Sequence, residues 1–101
     1  MSGINNPYRY TYETIAASQT AQVLGGTGAT GDYLHRVIVN VGTAASSTVS
    51  IVDGSTSISL MSANTPIGVY SIPVEAASQT GPWKITTGAG ASVIAIGVFS
   101  A

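Results

Sequence analysis

The run Gly31–Val41, GDYLHRVIVNV, constrains the fold more than any other stretch. Tyr33, His35, Val37, Val39 and Val41 share one parity, while Leu34, Arg36, Ile38 and Asn40 share the other. A period of two dominated by β-branched residues is the signature of a strand. The valine parity is apolar beyond His35, so Tyr33, Val37, Val39 and Val41 are expected in the core. The other parity mixes polar and apolar residues, as in a central strand that is half covered. Thr48–Val52 follows after a short turn and is expected to be its hairpin partner. Asp53-Gly54 then ends that strand with a strong turn signal.

The rest of the chain repeats the pattern in shorter pieces. Tyr8, Tyr10 and Tyr12 alternate with Arg9, Thr11 and Glu13, and Ile15 closes the run. This is an amphipathic strand whose aromatic row is expected on the core, with a neighbouring subunit as the alternative. Further strands are expected over Thr20–Leu24, Ser57–Met61, Gly68–Val74, Trp83–Thr87 and Ser92–Ser100. Pro73 argues that its strand ends there or lies at a sheet edge. Gly, Pro, Asn or Ser flanks each piece, and no helical period reaches two turns. About eight short strands predict an all-β, two-sheet sandwich of jelly-roll or Greek-key type, with a small closed barrel as runner-up. The pentapeptide AASQT occurs at Ala16–Thr20 and again at Ala76–Thr80. It marks either equivalent corners of two halves or a chance repeat of common residues.

A chain of 101 residues makes one domain, here 8–101, behind an extended arm over 1–7 that Asn5-Asn6-Pro7 keeps out of helix. Only 7% of the residues are charged, against roughly 25% in an ordinary soluble domain. The net charge is −1, where a free monomer usually carries a magnitude of about 2–8. A surface built from Gly, Ser, Thr, Asn and Gln suits burial in a larger assembly, where long charged side chains would be desolvated. Three basic residues argue against nucleic acid. The start MSGINNP is no secretory signal, and Val93–Phe99 is far short of the ~20 apolar residues of a membrane span. A cytoplasmically made protein with no membrane partner is expected. The chain has no cysteine, hence no disulfide or thiolate metal site.

No candidate chemistry withstands its bland alternative. Gly26-Thr27-Gly28-Ala29-Thr30-Gly31 matches G-x-G-x-x-G, and Asp53 lies about twenty residues on. That motif needs a helix N-terminus to hold pyrophosphate, and here a valine-rich strand follows. A flexible glycine-rich connection is the expectation. Asp32, His35 and Arg36 suggest acid–base work, but a lone histidine in strand parity is more often packed. Arg36 is expected to pair with Asp32 or Glu13, or to reach a neighbour. Trp83 beside Lys84 suggests a sugar platform without the acidic or amide cluster such a site uses, so a core tryptophan is favoured. The chain is expected not to be an enzyme, with no catalytic residue, cofactor or metal.

Three segments carry a resemblance: GDYLHRVIVNVGTAASSTVSIVDG over 31–54, NTPIGVYSIPVEAASQTGPWKITTGAG over 64–90, and SVIAIGVFS over 92–100. Together they resemble small structural proteins of tailed bacteriophages, the head-decoration or cement proteins, over about Tyr8 to Ser100. The resemblance implies a β-sandwich module on the outer capsid surface of the virion, assembled in the host cytoplasm. It also implies a homo-oligomer, a trimer at three-fold positions, clamping major capsid protein subunits. No motif assigns contact residues. The arm and its junction, Ile4, Asn5, Asn6, Pro7, Tyr8 and Arg9, are the candidates for subunit or capsid contact. The alternative function is a fibre-tip or knob-like module recognising a glycan or host surface through Trp83 and exposed tyrosines.

Overall fold

A computed structural model describes residues 10–101. The described residues form eight strands in chain order: β1 (Thr11–Ile15), β2 (Gln22–Val23), β3 (Tyr33–Val41), β4 (Val49–Asp53), β5 (Thr56–Met61), β6 (Gly68–Ala77), β7 (Trp83–Thr87) and β8 (Ala91–Val98). They form two antiparallel four-stranded sheets, ordered β1-β8-β3-β6 and β2-β7-β4-β5. Among the described residues, helix is limited to a 3-10 turn over Ala44–Ser46.

The pairings β1–β8, β2–β7, β3–β6 and β4–β5 make one long hairpin with its tip between β4 and β5. Rolling that hairpin adds the pairings β3–β8 and β4–β7 and distributes the arms over two sheets. This is the jelly-roll winding, and the all-β sandwich expected from the strand count is what forms. The tip is a two-residue loop, Gly54-Ser55, closed by the pair Asp53↔Thr56. Gly54 takes φ +62°, as the first central position of a primed hairpin turn requires.

The core lies between the sheets. Val37, Val39, Val41, Ala91, Val93 and Ala95 point inward from one sheet; Val49, Ile51, Trp83 and Ile85 point inward from the other. Strict alternation in β7, in β8 and over Val37–Val41 of β3 places each buried residue two positions from the next.

Three expectations are corrected. β4 is not the hairpin partner of β3: the Ala44–Ser46 turn carries the chain across to the other sheet, and β3 pairs with β6 and β8. Tyr33 is not core. Against β8 the register runs Leu34↔Gly97 and then Arg36↔Ile96, so His35 is an extra, bulged residue. The bulge lets Leu34 and Val37 both face inward, and it turns Tyr33 outward. The tyrosine row of β1 is not core either. Ile15 pairs with buried Val93, which fixes the odd parity as inner and leaves Tyr10 and Tyr12 outside. The alternative that Pro73 offered, a sheet edge, is what forms, and β6 runs past its expected end at Val74 to Ala77. It can do so because it is an edge strand, where proline's missing N–H faces no ladder partner.

The two AASQT copies occupy corresponding places. Each leads into a crossover from the first sheet to the second, the first copy starting just after β1 and the second at the last two residues of β6. Their hydrogen bonds differ. In the first, Thr87 Oγ1 donates to the Ala16 carbonyl (2.7 Å) and accepts from the Gln19 amide (3.0 Å). In the second, the Gln79 and Thr80 amides donate to the Asp53 carboxylate at 2.9 and 3.0 Å, and the Gly81 amide just beyond does so at 3.3 Å.

That carboxylate ties the β6–β7 crossover to the hairpin tip. Hydrogen bonds from the Thr80 and then the Gln79 amide hold Asp53 below its ordinary value, against the smaller opposing effect of burial. A folded-state value below the unfolded one means that the contribution is complete above about pH 4 and lost as pH falls through the lower value. The melting temperatures of wild type and Asp53→Asn should therefore differ most at neutral pH and converge in acid. A gap that is constant with pH would assign the effect to packing alone.

Candidate interaction surface

Asp32, His35 and Arg36 are adjacent in sequence but face different partners. The Asp32 carboxylate accepts from the Ala29 amide (3.0 Å), the Ser100 amide (2.9 Å) and the Ser100 hydroxyl (2.7 Å). It clamps the end of the described chain to the turn before β3. His35 stacks on Tyr10 with ring centroids 4.5 Å apart, and the Tyr33 hydroxyl lies 3.4 Å from its Nδ1. Arg36 donates to the Ser71 hydroxyl, not to Asp32 or Glu13. Glu13 instead accepts from the Gly25 amide (2.7 Å) and the Gln22 side chain (3.5 Å). These bonds describe packing and loop fastening; no acid–base pair is assembled.

The glycine-rich loop is not slack, as was expected of it. The Gly26 and Gly28 amides both donate to the Ser100 carbonyl, and Gly31 donates to that of Ser78. Gly28 takes φ +67°, and a Cβ there would press on Pro82. β3 follows the loop, so no helix N-terminus stands behind it. Trp83 is buried in the core. The glycan reading loses its platform, and iodide should quench the intrinsic fluorescence of Trp83 far less than that of free tryptophan. Quenching equal to the free amino acid would restore the platform.

What the fold does assemble is an apolar outer face on the sheet β1-β8-β3-β6. Cross-strand register places Tyr12, Ile96 and Arg36 in one row, and Thr14, Ile94, Ile38 and Ser71 in the next. Val98, Tyr33 and Ala77 form the row above, flanked by the Tyr10–His35 stack. Tyr12 is 73% exposed and Val69, at the far end of β6, is 70% exposed. Ile94 and Val98 are exposed as well. Burial, followed by the nearby Tyr10 and Glu75, pushes the Tyr33 phenol upward, so it stays protonated at neutral pH. The opposite outer face differs: Ser50, Thr86 and Lys84 alternate with the inward residues of β4 and β7.

The proposed contact residues Ile4, Asn5, Asn6, Pro7, Tyr8 and Arg9 lie outside the described residues. The outer face was missed in sequence, although Ile15 held the signal. An apolar residue ending a strand on the parity opposite to its tyrosines offers two candidate core faces, and only pairing with β8 decides between them. Among the described residues, no three of His, Asp and Glu come together as a metal-binding group. The chain matches no family model, no curated protein and no solved structure.

Proposed function

We propose that the chain is a virion structural protein that decorates a bacteriophage capsid, oligomerises, and stabilises the shell by bridging major capsid protein subunits. The observation that carries this reading is the apolar outer face around Tyr12, Ile94, Val98 and Val69 on a chain with so few charges. Fully burying one Val or Ile side chain contributes about 1.5–3 kcal/mol, so a few such contacts give a weak bond at each site. Repetition over a symmetric shell turns weak bonds into firm attachment through effective concentration. The resemblance to head-decoration proteins supplies the shell as the partner and a trimer as the oligomer. Jelly rolls serve many purposes, so the fold by itself does not choose among them.

The test is co-sedimentation with shells assembled from the major capsid protein encoded nearest to this chain. Wild type should pellet with the shells, and electron cryo-microscopy should place its density on their outer surface. Tyr12→Ser combined with Val69→Ser should weaken attachment at least tenfold while leaving the melting temperature nearly unchanged. A wild-type chain that stays in the supernatant overturns the proposal. A glycan array yielding specific hits would favour the fibre-tip alternative instead.

A further inference from the structure

Among the described residues the sandwich has four sheet edges, and three of them carry features that discourage pairing with another strand along the edge. β1 points Glu13 inward, and the Gln22 side chain covers the Thr14 carbonyl at 3.4 Å. β2 is only two residues long. β6 contains Pro73 and a bulge at Glu75, whose φ is +54°. β5 has a bulge only at Leu60, between the pairs Ser50↔Ser59 and Val49↔Met61, and its stretch Thr56–Ser59 carries none of these features. Its sequence, TSISLM, has no charge, proline or glycine, and Thr56, Ser57, Ile58 and Ser59 are all exposed. Ile58 pairs with buried Ile51 and so belongs to the inner face, yet it is 42% exposed.

We propose that β5 is a self-pairing edge: a second copy of this chain adds its own β5 antiparallel to it about a two-fold axis at Ile58. Ladder geometry fixes the register. In a two-residue hairpin the closing pair, Asp53 and Thr56, is hydrogen-bonded. Alternation then directs the backbone groups of Thr56 and Ile58 to β4 and those of Ser57 and Ser59 outward. With Ile58 opposite its own copy, Ser57 meets Ser59 of the second copy, and Ser59 meets Ser57. Every outward N–H and C=O of that stretch finds its complement. The Ile58 side chains form the close, non-hydrogen-bonded pair on the inner face, where each covers the other's exposed area.

Charge selects the occupant. An isologous contact sets a strand against itself, so any charge near the axis would face a like charge. β5 has none, and it offers no charge to attract a different partner. A single six-residue strand covers less than the ~800 Å² per partner of a standard interface. The pairing is therefore weak and concentration-dependent. It deepens the oligomeric part of the proposed function but does not depend on attachment to a shell. A three-fold contact through another surface would combine with it to give even-numbered assemblies.

Sedimentation equilibrium of the purified chain tests this. The mass should rise from 10.1 kDa toward an even multiple as concentration increases. Ile58→Lys, which sets two ammonium groups against each other, should weaken that association at least tenfold. Ser59→Pro, which removes an outward N–H that β4 does not use, should do the same. Hydrogen exchange of the Ser57 and Ser59 amides needs no substitution and should slow as concentration rises. A wild-type chain that stays at 10.1 kDa to millimolar concentration overturns the proposal. So does association that both variants retain, or exchange at Ser57 and Ser59 that is independent of concentration. A monomer that still binds shells would overturn the edge pairing and leave the decoration reading intact.

Discussion

Leu34→Ala is expected to destabilise the domain by about 2–5 kcal/mol, the range for truncating a fully buried leucine that leaves a cavity. Leu34 is wholly buried, at the point where β3 contacts both β6 and β8. Its neighbour provides the control. Tyr33→Ala removes an outward ring whose contacts are Tyr10 and His35, at centroid distances of 5.9 and 6.0 Å. Such aromatic pairs contribute about 0.5–1.5 kcal/mol beyond their area, so this substitution should cost clearly less. Chemical denaturation of both variants measures the difference. The simple period-two pattern makes the opposite prediction, with Tyr33 inside and Leu34 outside. If Tyr33→Ala proves the more damaging, the bulge at His35 is misplaced.

The second large effect is expected at the hairpin tip. Gly54→Val places a β-branched residue at φ +62°, a conformation that costs about 1–3 kcal/mol for a non-glycine residue. The new Cβ would also collide with the Thr80 hydroxyl, the group that donates to the Asp53 carbonyl at 2.9 Å. Strain and lost hydrogen bonds act on the same crossover, so the total should reach about 3 kcal/mol or more. Ser55→Ala, one residue along on the same exposed tip, should stay within about 0.5 kcal/mol. Thermal melts of the pair decide the matter. Similar melting temperatures for the two variants would mean that the tip tolerates another turn type.

Much of the fold is legible because turn-formers punctuate short alternating runs. Trp83–Thr87 is read at its observed bounds, since Gly81-Pro82 and Gly88 delimit it on both sides. β3 is recognisable as a central strand from its valines, and Asp53-Gly54 as a turn from its chemistry. Two kinds of information are not local. Which strands pair depends on how the hairpin rolls, so placing Thr48–Val52 beside β3 followed sequence proximity and failed. A bulge such as the one at His35 leaves perfect alternation on each side of it, and only the register with Gly97 and Ile96 reveals the slip. The candidate surface was partly legible: scarce charge pointed to assembly, but the face used for it depends on the same long-range register. The unguarded edge at β5 was the reverse case. Its lack of charge, proline and glycine is plain in TSISLM, yet it means nothing until the strand is known to be an edge.

The rolled hairpin has a consequence for biogenesis. β8, the last of these eight strands in chain order, sits between β1 and β3 and, among the described residues, is the only strand that β1 pairs with. During synthesis β1 must therefore wait, unpaired, with Ile15 uncovered, until β8 has left the ribosome. No stable half of the first sheet can form before then, because β3 and β6 alone cover only one flank of the core. Completion of the first sheet therefore waits for β8 and proceeds through contacts distant in sequence, which fold on the slow, millisecond-to-second scale of such topologies. Over that interval the uncharged β5 is exposed on every nascent copy. Polysomes crowded with this message are where its pairing would first be felt.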